Sequence, residues 1–552
     1  MNLSTHSKLT LRALTAATLF SVAIVGLACG DDDGGGDIEF DRNGNNTTAN
    51  NNTTANNQSP PVDEPTGNEY SGNNGSIDAE PGDYGYADED MAGAEPQRPD
   101  DHADFGENEF IDTADEDTST FSIDINTASY TIMRRDLQAQ RLPTPESVRT
   151  EEFINFFRFN YPEPIDDPFS VNMELAPSHF GSSDEAERHL LRIGMRGKEV
   201  SIEDMKPTNL VLLVDVSGSM NFDDRMPLAK ESMHVMLEYL RDTDMVSMQT
   251  YASGSDTVLE PTPVSERNEI EDAIDSLVAQ GGTFGEGGIR DAYDLAEDAF
   301  IEGGNNRVVI LTDGDFNVGK TGDDLVEMVK GYRDREISLT SVGYGHGGFG
   351  DATMEELARK GNGNYFYIDT VEEAHRIFGT ELPSTVEVIA QDVRNQVEFN
   401  KDAVERYRLI GYEKRVMDNE EFDDEDTNAG EIGPGHTVTA FYEMELSEDA
   451  ADSGHVAEVR VRHREQYGED TKLQTQQIKY GQIHDDFDDA TDGFRFAAAV
   501  AQFAGALRGS QYIDEPDFDD IYDVAEAGKY DDAGEQEEFL ELVMKAADLW
   551  ED

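Results

Sequence analysis

From Asn209 to Thr380 short apolar runs alternate with longer amphipathic stretches, the pattern of a parallel sheet covered by helices on both faces. The runs Asn209–Val214, Met245–Tyr251, Arg307–Leu311, Ile337–Val342 and Tyr365–Ile368 read as strands, with an antiparallel piece at Thr257–Leu259. Helices are predicted near Met226–Leu240, Glu266–Val278, Gly287–Phe300, Asp323–Asp334, Met354–Ala358 and Val371–Phe378. The expected fold of this region is α/β, a doubly wound and mostly parallel sheet. Open sheets of this kind bind ligands beyond the carboxyl ends of their strands, so the loops there are where chemistry is sought.

Three segments carry it, two of them at the carboxyl ends of predicted strands. Asp215-Val-Ser217-Gly-Ser219-Met220 follows the strand ending at Val214, and Thr312-Asp313-Gly314 follows the one ending at Leu311. Gly281-Gly282-Thr283 lies in the loop before the helix near Gly287. The side chains are two carboxylates and three hydroxyls, all hard oxygen donors. That set suits Mg²⁺, Mn²⁺ or Ca²⁺ and disfavours zinc or copper. Successive side chains of an extended turn point to opposite sides, so Asp-x-Ser-x-Ser aims three oxygens the same way. Gly218, Gly281, Gly282 and Gly314 allow the backbone to approach closely. An octahedral cation that keeps some water leaves a position for an outside oxygen.

Asp215, Ser217, Ser219, Thr283 and Asp313 together resemble the metal-ion-dependent adhesion site of von Willebrand factor type A domains. The resemblance implies direct coordination by Ser217, Ser219 and Thr283, with Asp215 and Asp313 acting partly through water. It also implies a sixth ligand, a carboxylate from a bound protein partner, and therefore binding rather than catalysis. The flanks are similar to those of one group of bacterial proteins with this domain. Phe121-Ser-Ile-Asp-Ile-Asn-Thr-Ala-Ser-Tyr130 and Arg149-Thr-Glu-Glu-Phe-Ile-Asn-Phe-Phe157 look like its N-terminal segment, while Gly430–Glu443 and Phe494–Val500 look like its C-terminal domain. Members of the group are often membrane-anchored or lipidated envelope proteins.

Outside the central unit, Phe169–Leu175 and His189–Met195 read as strands before it, and several strand-like runs follow from Val386 to Ile478. The expectation is that these flanks fold together as a sandwich with the α/β unit inserted, followed by helices at Phe494–Leu507 and Glu535–Leu549. Pro145 is placed for the first turn of a helix running to Phe157. The predicted organisation is residues 1–28 as a signal peptide, 29–117 as a disordered tether, 118–200 as the N-terminal associated segment, 201–382 as the type A domain and 383–552 as a C-terminal β-rich domain with helices.

The start of the chain reads as an export signal. Lys8 and Arg12 precede an apolar run from Ala13 to Ala28 that is too short for a confident spanning helix. Gly26-Leu27-Ala28-Cys29 resembles a bacterial lipobox, which implies cleavage before Cys29 and a lipid on that cysteine. The alternative is an ordinary secretory signal with an incidental cysteine. From Gly30 to about Asp117 no apolar periodicity offsets the entropy of ordering the backbone, so a tether spanning roughly 50 Å is expected. The resulting expectation is a protein exported and lipid-anchored to a bacterial envelope membrane.

Composition narrows the partners. With 118 acidic residues against 42 basic ones the formal net charge is −76, which repels nucleic acid and anionic headgroups. The acidity itself reads as a surface suited to saline surroundings, as simple solubility, or as a loose attraction for cations. One cysteine excludes an internal disulfide or a thiolate zinc site. No Gly-x-Ser-x-Gly elbow is present, and His436 beside a predicted strand reads as structural. The function expected is a metal-dependent adhesion or scaffold role. A metal-dependent envelope hydrolase and an assembly or chaperone subunit are the alternatives.

Overall fold

The computed structural model describes residues 100–551, apart from 101, 104, 181–186, 283–284, 315–321, 348–349, 425–428, 449, 453, 466–469, 514 and 532–533. Cys29, the signal segment and most of the predicted tether lie outside the described residues. No helix among those described is long and apolar enough to cross a membrane.

The central unit is a six-stranded sheet in the order Tyr365–Tyr367, Ser338–Gly343, Asn305–Thr312, Thr208–Asp215, Met245–Tyr251, Ser255–Pro263. All neighbouring pairs are parallel except the last, which is antiparallel at the edge. The inner strand Thr208–Asp215 is buried along its whole length, which is why it reads as a continuous apolar run and not as an alternating one. Its residues divide between two cores. Leu210, Leu212 and Val214 pack with Met233, Met236, Ile270 and Ile377 on one face. Val211 and Leu213 pack with Ile289, Tyr293, Val329 and Leu357 on the other. Period-two alternation of the strand thus feeds both helical layers.

The flanking strands form the expected sandwich. One sheet runs Ile111–Asp112, Val404–Ile410, Thr437–Leu446, Arg188–Gly197, Phe169–Pro177. The other runs Val416–Met417, Thr118–Ser122, Ala390–Phe399, Ala457–Arg464, Lys472–Ile478. Both mix strands from before and after the central unit: Arg188–Gly197 pairs with Thr437–Leu446, and Thr118–Ser122 pairs with Ala390–Phe399. Residues 118–200 and 383–478 therefore share one core, which includes Phe121, Leu191, Val397, Tyr407 and Tyr442.

A fourth core is aromatic. The helices Asp492–Arg508, Phe518–Ala527 and Gly534–Glu551 enclose Phe153, Phe156 and Phe157 from the N-terminal segment. Phe156 stacks on Tyr130 at 3.9 Å, and Phe157 meets Phe496 and Phe539 edge-on at 5.0 and 5.7 Å. Burying rings of this size contributes on the order of 2–3 kcal/mol each. The helix Phe518–Ala527 was not among the expected elements, although Phe518, Ile521, Val524 and Ala525 form a buried stripe at helical spacing.

Two expectations are corrected. The predicted tether reached residue 117, yet the described residues from 102 onward pack on the body. His102 Nδ1 lies 2.9 Å from Asp351, Asn108 donates to the carbonyls of Leu409 and Gly411, and Ile111–Asp112 joins a sheet. Side-chain hydrogen bonds to backbone, the Phe105 ring against Lys414 and the Phe110 ring edge-on to Tyr512 hold this segment, which leaves no periodic apolar signature. The predicted helix from Pro145 to Phe157 is instead a 3-10 turn at Pro145–Ser147 and a helix at Thr150–Ile154. Arg149 interrupts it in an extended conformation, with its guanidinium turned to Asp351 at 2.7 and 3.1 Å and its amide donating to Ser129 Oγ.

Candidate functional site

The carboxyl ends of the adjacent strands Thr208–Asp215 and Asn305–Thr312 bring Asp215 and Asp313 together from distant parts of the sequence. Asp215 is fully buried and three donors hold its carboxylate. The Ser217 amide donates to Oδ1 at 2.8 Å, while the Tyr251 hydroxyl at 3.0 Å and the Thr312 hydroxyl at 2.8 Å donate to Oδ2. Burial first, and the neighbouring Asp313 carboxylate second, push the Asp215 carboxyl up to about 6. The same burial, with Asp215 alongside, pushes the Tyr251 hydroxyl well above its ordinary range, so it stays a donor.

After Asp215 the chain turns sharply. Ser217 begins a 3-10 turn over Gly218–Met220, which sets the hydroxyls of Ser217 and Ser219 2.8 Å apart. The second segment is laced to this turn by backbone. The Gly218 amide donates to the Gly281 carbonyl at 3.0 Å, and the Gln280 amide donates to the Val216 carbonyl at 2.7 Å. Gly281 has a φ of +94°, a conformation that favours glycine, and the Gly282 amide donates to Ser253 Oγ at 2.8 Å. Thr283, the remaining expected ligand, lies outside the described residues.

The sequence reading missed Arg225. Its guanidinium donates to Asp313 Oδ2 at 2.6 Å, to the Ser219 carbonyl at 2.7 Å and to the His346 carbonyl at 2.8 Å. One cation thus ties three loops: the serine turn, the Thr-Asp-Gly loop and the loop after Ser338–Gly343. Gly345 has a φ of +73°, and a Cβ there would overlap the Arg225 side chain. No local signal marks this arginine, since the pairing depends on strands adjacent only in the folded chain. Phe222 lies beneath the guanidinium at 5.0 Å and is 57% exposed, an apolar surface beside the polar site.

The donors fit a hard divalent cation. Asp215 and Asp313 are buried and repel each other, and the serine hydroxyls stand beside them, so positive charge placed there relieves the repulsion that raises Asp215. Asp215, Ser217, Ser219 and Asp313 are the described residues that would hold it. The cation would supply a Lewis-acidic centre for an oxygen ligand. His436 is buried, and burial lowers it to about 4, in keeping with a structural role.

Fold and loops define a protein built around a von Willebrand factor type A domain, a class that commonly mediates protein–protein adhesion. Residues 209–380 match the family described as von Willebrand factor type A domain, and residues 96–191 match one described as von Willebrand factor. Residues 384–549 match the family described as "Uncharacterized protein YfbK, C-terminal". The chain is 34% identical over 468 residues to "Uncharacterized protein YfbK" of Escherichia coli, covering 80% of each chain. It therefore belongs to the YfbK family of type A domain proteins. It is also 27% identical over 214 residues to "Uncharacterized protein sll0103" of Synechocystis, covering 38% of this chain and 49% of that one. Among solved structures, "von Willebrand factor type A from Catenulispora acidiphila" matches with a TM-score of 0.40 and 16% identity, over 67% of this chain and 89% of that one.

Proposed function

We propose that this protein is a cell-envelope lipoprotein that binds a protein partner through a divalent cation held by Asp215, Ser217, Ser219, Thr283 and Asp313. The observation that carries the reading is the convergence of two buried carboxylates and two adjacent hydroxyls at the carboxyl ends of neighbouring strands. Mg²⁺ is the assigned cation, with Mn²⁺ or Ca²⁺ compatible with the same oxygens. The partner offers a carboxylate to the cation and an apolar group to the exposed Phe222. Its own basic patches then offset a net charge of −76, whose repulsion of acidic proteins reaches about one Debye length, roughly 8 Å at physiological salt. The role is adhesion or scaffolding, not catalysis, and the anchor is a lipid on Cys29.

Cross-linked capture from envelopes tests this, comparing Mg²⁺ with chelator and wild type with Asp215→Ala. Capture is expected only for wild type with Mg²⁺. Undiminished capture in chelator and in the variant would overturn the metal bridge. Labelling with a lipid precursor that fails in wild type as it does in Cys29→Ser would overturn the anchor.

A further inference from the structure

In this unit the helices run back against the strands, so their C-termini lie at the edge of the sheet opposite the adhesion loops. Gly322–Arg333 ends there with Lys330 and Arg333, and Asp351–Lys360 ends there with Arg359 and Lys360. These four side chains line one wall of a cleft of about 460 Å³ between the α/β unit and the sandwich, and Lys414 and Arg415 line the other. Six cations around one cleft run against a composition of 42 basic and 118 acidic residues.

Their partners divide them into two groups. On the sandwich side the charges are matched: Lys414 pairs with Glu355, and Arg415 donates to Asp124 at 2.9 Å. On the helical side they are not. Lys330 and Arg333 touch Glu327 and Asp334, which are 71% and 63% exposed, and Arg359 stands 3.9 Å from the half-exposed Glu356. Exposed pairs of this kind are weak and exchange readily for a better anion. Lys360 has no ion pair among the described residues, and burial together with Arg359, Lys330 and Arg333 holds its ammonium below the usual lysine range.

The remaining lining adds to the imbalance. Asn364 is 4% exposed, and its side-chain N–H₂ group has no acceptor among the described residues, which leaves a buried donor beside the cleft. Of the acidic lining groups, Glu431 accepts from Asn362 and Glu421 accepts from the Asp418 amide, both at 2.9 Å, while Asp124 holds Arg415. The helix dipoles account for part of the basic charge only. Each C-terminus carries about half a negative charge, against two cations on each helix.

We propose that this cleft is a binding site for a small, multiply charged anion of the phosphate type, held by Lys330, Arg333, Arg359 and Lys360 with Asn364 donating a hydrogen bond. The volume suits such a ligand, since small-molecule sites run from roughly 300 to 1,000 Å³. Arginine forks and lysine ammonium groups match phosphate oxygens in charge and geometry. The protein's overall negative charge does not prevent this, because salt screens it beyond about 8 Å while the four cations act at contact. The site stands apart from the adhesion loops and goes beyond the metal-bridge reading.

Calorimetry and thermal melting of the full chain with pyrophosphate test the proposal, in buffer free of divalent cations because pyrophosphate sequesters Mg²⁺. Wild type is expected to bind, to melt at a higher temperature with pyrophosphate and to bind more weakly as salt rises. The double variant Arg359→Gln/Lys360→Gln is expected to weaken binding at least about tenfold, for the loss of two charge-assisted contacts. Without ligand it should melt no lower than wild type, because it relieves repulsion among the cations. Asp215→Ala should bind pyrophosphate unchanged, which separates this site from the adhesion reading. No binding to wild type, or equal binding to the double variant, would overturn the proposal. Citrate binding as tightly as pyrophosphate would overturn the phosphate assignment.

Discussion

Arg225 and Asp313, 88 positions apart in the chain, meet at 2.6 Å with the guanidinium on the carboxylate that the cation site needs. Both side chains are largely buried, at 11% and 3% exposure. Removing one member of such a pair costs about 3–5 kcal/mol, because the other charge is left unmatched. In Arg225→Gln that charge is Asp313, beside Asp215. The variant is expected to melt lower than wild type in chelator and to gain more from added Mg²⁺. Equal Mg²⁺-induced shifts in melting temperature would show that arginine and metal do not share the carboxylate.

Arg134 clamps the end of the α/β unit to its frame. It donates to Asp369 at 2.6 and 2.8 Å, to Glu373 at 2.9 Å and to Glu538 of the last helix at 3.0 Å. Glu373 lies in the helix Val371–His375, and Arg376 holds it from the next turn. Arg134→Met keeps the length of the side chain and loses these bonds. Hydrogen exchange across residues 371–380 should then accelerate at least about tenfold, which corresponds to a loss of local stability of some 1.4 kcal/mol. Unchanged protection there would place the clamp elsewhere.

His436 makes stability depend on pH in the acid range. Burial lowers it from 6.5 to about 4, with Glu381 opposing and Arg158 and Arg376 adding to the effect. Between those values the unfolded chain binds the proton and the folded one does not. Stability from this group is therefore present above pH 6.5 and lost as pH falls toward 4, by about 3 kcal/mol at 1.36 kcal/mol for each pH unit. His436→Gln should flatten the fall in melting temperature between pH 6.5 and 4.5. Parallel curves for the two proteins would refute the assignment.

The shared sandwich predicts how fragments behave. Residues 200–382 contain a complete sheet with both helical faces, and lose the cover of Ala128 and Ile132 together with the ion pairs of Arg134 and Arg149. Residues 383–552 lack Thr118–Ser122, Phe169–Pro177 and Arg188–Gly197, and so expose the edges those strands cover. The first fragment should give a cooperative thermal transition and the second should not. Cooperative melting of 383–552 alone would contradict the shared core.

Much of this architecture was legible before any coordinates. Strand and helix alternation from Asn209 to Thr380 follows from backbone periodicity, and the runs Asp215–Met220 and Thr312–Gly314 sit where each strand ends. Both signals are local: a few neighbouring residues determine which way a side chain points and where a loop begins. Other features were not legible because their partners meet only in the folded chain. The Arg225–Asp313 pair, the Thr312 and Tyr251 hydroxyls on Asp215, and the attachment of residues 102–117 all depend on which strands and loops become neighbours. The basic cleft shows the same division, since each helix ends in two cations that look like ordinary complements to its dipole. Sequence alone determined the class of fold and the oxygen-donor motif. Tertiary structure decided which charges face one another, because electrostatic pairing follows distance in space and not position along the chain.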